Sequence, residues 1–204
     1  MADPIATSIS LVALAVSGLT AWLTLFRRGT VEMTRPTVVF FGSDGGARDG
    51  VTRPKVFLRS LIYSTWKRGH IIEGMYVVLR RGETRQSFNI WVYGEERLAR
   101  GSGLFVGESG VVCNHHFLLP EDGTQFRFLA GDYRLDVFAS VVGWKTLPLR
   151  SIAVSVTERA ATELQDPDYG LYFDWGPDAE RYHAHVDKRK PPRAPLFSTV
   201  EPPS

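Results

Sequence analysis

Cys113 and His115 stand two residues apart, and His183 and His185 repeat that spacing near the C-terminus. On a β-strand, residues i and i+2 share a face, so each pair presents two ligands side by side and His116 points to the other face. Structural zinc needs four such ligands held together, and no fixed spacing links the two pairs. Cys113, His115, His183 and His185 are therefore metal candidates without a complete ligand set, and the expectation is a chain with no metal and no other cofactor. The adjacent carboxylates Glu95-Glu96 and Glu121-Asp122 lie in turn-like stretches, where charges are normally solvated. The phosphate-loop, dinucleotide, nucleophile-elbow and zincin motifs are all absent from the sequence. Lys67-Arg68 and Arg80-Arg81 are only pairs, so no nucleic-acid partner is expected.

The run from Gly101 to His116 resembles the approach to the catalytic histidine of trypsin-like serine proteases, in which a G-[ST]-G-hydrophobic stretch precedes a short polar run ending in His. The resemblance implies His115 or His116 as general base and a glycine-flanked serine downstream. The serines after His116 are Ser140, Ser151, Ser155, Ser198 and Ser204, and none has a G-[DN]-S-G setting. The expectation is a Gly-rich loop leading into a strand over Val111 to Leu119, with no catalytic residue, and a protein that is not an enzyme.

The elements that carry these residues fall into three segments. Between Asp3 and Arg27 no side chain is charged. As a helix, Ile5 to Phe26 would be about 33 Å long, near the ~30 Å apolar thickness of a bilayer. Its polar residues are Ser and Thr, whose hydroxyls can bond back to helix carbonyls. Trp22 falls where an indole favours the headgroup zone, and Arg27-Arg28 follow. Residues 1–28 thus read as a retained single-pass anchor with a basic flank, partnered by the lipid bilayer. The positive-inside rule places the rest of the chain in the cytoplasm. A lone cysteine, Cys113, suits a reducing compartment. Ala13, Ser17 and Ala21 share a helix face on which two copies could pack as a homo-oligomer.

Residues 29–157 read as an antiparallel β-sandwich. Short β-rich runs appear at Thr37–Phe41, Val56–Tyr63, Ile71–Leu79, Ser87–Tyr93, Val111–Leu119, Thr124–Phe128, Tyr133–Val142 and Leu147–Thr157, separated by turn residues. Tyr133, Leu135, Val137 and Ala139 alternate with Asp132, Arg134 and Asp136, as on a half-buried strand. Gly131-Asp132-Tyr133, after Leu129-Ala130, resembles the tyrosine corner of immunoglobulin-like and fibronectin-like sandwiches. The resemblance implies an immunoglobulin-like fold over about Arg53 to Thr157, without the antibody-type cysteine pair, and a phenol bonded back to the backbone.

Residues 158–204 read as an aromatic and Pro-rich tail, partly disordered, in which Tyr169, Tyr172, Phe173, Trp175 and Tyr182 should dock on a partner or on the sandwich itself. The chain's net charge of +2 hides a segmentation. Residues 27–157 hold 18 basic and 12 acidic side chains, and residues 158–204 hold 6 and 9. The functional expectation is a membrane-tethered, non-enzymatic interaction or scaffold module with a protein partner. The alternatives are an extracytoplasmic sensor or envelope-assembly domain of opposite topology, and a hydrolase using His115 or His116.

Overall fold

The computed structural model describes residues 3–22, 29–44, 53–94, 99–101, 103–120, 122 and 124–188. Helix α1, Pro4–Ala21, starts where the physics of helix ends requires. The Asp3 carboxylate accepts a hydrogen bond from the Ile5 N–H, and Pro4 occupies the first turn, where its missing N–H costs nothing. Thr7, Ser8, Ser10 and Thr20 each donate a hydroxyl to the carbonyl four residues back, at 2.8 to 3.1 Å. None of the α1 residues is buried. Arg27 and Arg28 lie outside the described residues.

Thirteen strands follow among the described residues: β1 Val31–Met33, β2 Val38–Ser43, β3 Pro54–Ser64, β4 His70–Arg81, β5 Thr84–Phe88, β6 Ile90–Tyr93, β7 Ala99–Arg100, β8 Leu104–Val106, β9 Val111–Leu118, β10 Gly131–Val141, β11 Leu147–Val156, β12 Tyr169–Gly176 and β13 Arg181–Lys188. A short helix α2, Glu158–Glu163, is capped by the Thr157 hydroxyl, which accepts from the Ala160 N–H. The strands form two antiparallel sheets. The larger is ordered β13-β12-β2-β3-β9-β6-β7, with β1 also on β3. The smaller is ordered β11-β10-β4-β5, with β8 also on β4. The inward residues of both sheets make one apolar core: Phe41, Leu58, Phe117 and Phe173 from the larger meet Val77, Leu79, Leu135 and Val154 from the smaller.

Three elements differ from the sequence expectation. Ser87–Tyr93 is not one strand. Phe88 and Trp91 are both buried, yet three residues apart they cannot share a face of one straight strand. The chain resolves the conflict by switching sheets at Asn89: Phe88 pairs with Val77 of β4, and Ile90 pairs with Leu118 of β9. Thr124–Phe128 is not a strand either. It lies on the crossing from β9 to β10, where Phe128 stacks on Phe41 with ring centroids 4.9 Å apart and Phe126 packs on Phe88 at 5.5 Å. The segment expected as a tail holds a β-hairpin, because β12 pairs with β2 from Gly170↔Gly42 to Asp174↔Val38 and β13 pairs with β12. The sheet therefore runs past residue 157 to Lys188. Residues 189–204 lie outside the described residues.

The corner at Gly131-Asp132-Tyr133 has the bonding expected of it. The Tyr133 hydroxyl donates to the Leu129 carbonyl at 2.8 Å and accepts from the Leu129 N–H at 2.9 Å. Gly131 takes φ +135°, a conformation that side chains with a Cβ rarely adopt. Asp132 accepts from the Ser155 hydroxyl on β11.

Candidate functional site

Strand β9 turns Cys113, His115 and Phe117 inward, and β6 brings Trp91 against them. His115 is fully buried. The Trp91 indole N–H donates to His115 Nδ1 at 3.2 Å, so Nδ1 is the accepting nitrogen and the ring proton sits on Nε2. That nitrogen lies 3.3 Å from Cys113 Sγ. Burial, and after it the neighbouring His116, pulls the His115 pKa down to about 4, which holds the ring neutral. A histidine acting as base toward a thiol needs its lone pair on the thiol side. Here the one lone pair of the neutral ring, on Nδ1, already accepts the Trp91 N–H, and Sγ, also 3.9 Å from Nδ1, packs against the ring and off the Nε2–H axis. Among the described residues no serine hydroxyl bonds His115. His116 points to the opposite face, 4.9 Å from the Phe57 ring. Its pKa is also lowered to about 4, first by burial and then by the charge of Lys55.

The metal candidates do not meet. His183 and His185 lie on β13 with their side chains outward, and His185 Nδ1 is 3.3 Å from Asp174 Oδ2. Cys113 and His115 face inward on β9, four strands away, or about 19 Å at ~4.8 Å per strand. Among the described residues, no three His, Cys, Asp or Glu side chains are grouped as metal ligands.

The outward face of the larger sheet carries a feature that sequence reading missed. His185, Tyr172, Phe40, Phe57 and His116 are direct cross-strand neighbours on β13, β12, β2, β3 and β9. Their ring centroids are 5.4, 4.9, 6.5 and 4.9 Å apart in turn. Gly42 and Gly170 pair with each other and make room for the Phe40 ring, since a Cβ at either would come within 2.7 Å of it. Lys55 lies 5.2 Å above Phe40, and Arg59 donates to Asn114 at 3.0 Å along the next row. The available signal was an aromatic side chain on the outward phase of three strands: Phe40 beside Val39 and Phe41, Phe57 between Lys55 and Arg59, and Tyr172 beside Phe173.

The aromatics expected to dock do so within their own sandwich. Phe173 is core. Trp175 stacks under the Arg35 guanidinium at 3.8 Å and meets Tyr182 at 5.1 Å. The Tyr182 hydroxyl donates to the Pro36 carbonyl at 2.8 Å, and burial pushes its pKa up to about 12 against the opposing charges of Arg35 and Arg150. Tyr169 has Lys188 6.0 Å from its ring. Trp175 and Tyr182 also line a groove of about 630 Å³ with Arg35, Arg150 and Arg181, between β11 and the β12–β13 hairpin. Trp22, at the end of α1, is exposed. On the outward face of the smaller sheet, Asp136 binds Arg134, Ser151 and Arg80 at 2.8, 2.8 and 3.2 Å. Burial raises its pKa, and these bonds outweigh it, so the carboxyl titrates below its usual range.

No family model matches the chain, and no curated protein is similar to it.

Proposed function

We propose that this chain is a single-pass membrane protein whose immunoglobulin-like sandwich serves, on the cytoplasmic side, as a non-enzymatic interaction module. The observation that carries the reading is α1: an uncharged apolar helix of 18 residues, long enough to cross a bilayer, with none of its surface taken up by the sandwich. A secretory signal shares that composition, and Arg27-Arg28 directly after the apolar run favour a retained anchor. The fold name rests on strand order. In sequence, β2-β3-β9-β6 and β11-β10-β4-β5 correspond to the A-B-E-D and G-F-C-C′ orders of immunoglobulin-like domains, with β12–β13 added at the A edge. Tyr133 then opens strand F, where a corner tyrosine belongs. Interaction is favoured over catalysis because the best-formed histidine site, His115, is buried with its one lone pair taken by the Trp91 N–H. The partner face we favour is the aromatic row through Tyr172, Phe57 and His116.

Alkaline carbonate should leave the protein in the membrane pellet, and its release would refute the anchor. Native Cys113 is buried and is a poor topology probe. Glu83→Cys, in the exposed β4–β5 turn of a Cys113→Ser background, serves instead. Its labelling by an impermeant thiol reagent should require permeabilised cells. Labelling of intact cells would favour the extracytoplasmic reading. For the partner, affinity recovery from detergent should fall with Tyr172→Ala and His185→Ala. Deleting residues 169–182 would be uninformative, since it strips Leu171 and Phe173 from the core.

A further inference from the structure

We infer that the end of the sandwich where the chain arrives from α1 is a lipid-binding surface, resting on the anionic headgroups of the membrane that holds the helix. The inference builds on the anchor reading above. Its first support is where the chain enters. The Thr30 N–H donates to Thr65 Oγ1 at 2.7 Å, and the Thr65 N–H donates to the Thr30 carbonyl at 2.9 Å. A Cβ on Gly29 would sit 2.6 Å from Thr65 atoms, so the chain is held tightly against the β3–β4 turn. Trp22 and Gly29 are seven residues apart, a span of at most about 25 Å. The β3–β4 turn is therefore tethered within that distance of the end of α1.

The second support is what this end displays. Beyond α1 and its capping residue Trp22, the described residues include six large hydrophobics that are exposed, and four of them are here: Phe105 at 60%, Val142 at 48%, Ile71 at 47% and Trp144 at 38%. They form one patch. Phe105 pairs with Ile71, and the Val142 N–H donates to the Ile71 carbonyl. The Phe105 ring lies over Gly69, which has no Cβ to obstruct it. Trp144 reaches His70, with ring centroids 5.7 Å apart. Aromatic and aliphatic side chains of this kind favour the headgroup–acyl boundary.

The third support is charge. Lys67, Arg68 and Lys145 are exposed in the two turns that flank the patch, and Glu108 is the acidic residue of the neighbouring β8–β9 turn. Net of Glu108, two basic charges close to an anionic leaflet favour the docked state by roughly thirtyfold over a neutral surface. The far end of the sandwich lies about 35 Å away along β3, beyond the reach of that field.

The test uses the full chain, Cys113→Ser, in nanodiscs of POPC with or without POPG, doped with a headgroup-nitroxide lipid. A fluorophore is placed at Ser109→Cys, at the near end, or at Glu83→Cys, at the far end. Quenching should be strong at 109 and weak at 83. It should increase with POPG, decline with added salt, and drop to the far-end level when Lys67, Arg68 and Lys145 are all changed to Glu. Equal quenching at the two positions, or no response to POPG and to the triple variant, would overturn the proposal with the anchor intact. A chain that nanodiscs fail to retain would instead overturn the anchor reading and this one with it. Near-end quenching seen only in native membranes would assign the patch to a protein partner and refute the lipid surface.

Discussion

A buried histidine, His115, gives this fold a defined acid sensitivity. The unfolded chain takes up a proton at His115 near the ordinary histidine value of about 6.5. The folded chain does so only near 4, because burial and His116 disfavour the charged ring. The folded pKa is the lower one, so the neutral ring's contribution is fully present above pH 6.5. It is lost as pH falls from 6.5 toward 4, by up to about 3 kcal/mol. His116 shifts in the same direction, and its partial exposure reduces its share. Urea midpoints followed by tryptophan fluorescence should therefore fall steeply between pH 6.5 and 4.5, and His115→Gln should flatten that slope while lowering the midpoint at pH 7.5. An unchanged slope would show that His115 is not the titrating group. Tyr133→Phe removes both corner bonds and strands the Leu129 N–H, so its expected cost is about 1–3 kcal/mol at any pH between 5 and 8.

At the scale of elements, the hairpin β12–β13 is the addition that alters the sandwich most. It covers the edge of β2 and supplies Leu171 and Phe173 to the core. Phe173→Ala should cost about 3–5 kcal/mol, as large-to-small changes of buried rings do. Tyr169→Ala, at a half-exposed site, should cost under about 1 kcal/mol. Thermal melts of the two variants would separate a structural hairpin from a loosely attached one: similar small shifts for both would mean that Phe173 is not core. How legible these elements were in the sequence follows from how each buries its residues. β10 and β11 are buried on one face along most of their length, so their alternation was readable, as was the turn around Gly143-Trp144. β12 could not be read that way. Leu171 and Phe173 point inward while Tyr172 joins the outward aromatic row, so Leu-Tyr-Phe shows no alternation. The same holds for Val39-Phe40-Phe41 in β2. The break at Asn89 was hidden for another reason: Ser87–Tyr93 is uniformly β-forming, and only the odd spacing of Phe88 and Trp91 marks the change of sheet. The aromatic row itself depends on the register of five strands brought together from residues 40 to 185, which no local window contains.

At the scale of the whole molecule, α1 and the β-rich body are separate physical units, whereas the segment read as a tail from residue 158 belongs to the body as far as Lys188. α1 is apolar, capped at Asp3, and satisfies the hydroxyls of Thr7, Ser8, Ser10 and Thr20 through carbonyls four residues back. The sandwich has a closed core to which α1 contributes no residue. Nothing in that core requires the helix. A chain lacking residues 1–28 should therefore fold, with far-ultraviolet dichroism of a β-protein and a thermal midpoint within about 2 °C of the detergent-solubilised full chain. Gly29 and Thr30 must be kept, since they hold Thr65 and the β3–β4 turn. Removing them as well should lower the midpoint, because Thr65 loses its three hydrogen bonds to Thr30, at about 1 kcal/mol each. If the shorter chain is instead unfolded or aggregated, α1 is part of the fold and covers a surface of the sandwich. An anchor that projects away from the sandwich into lipid requires the opposite result: a water-soluble sandwich that added salt releases from membranes.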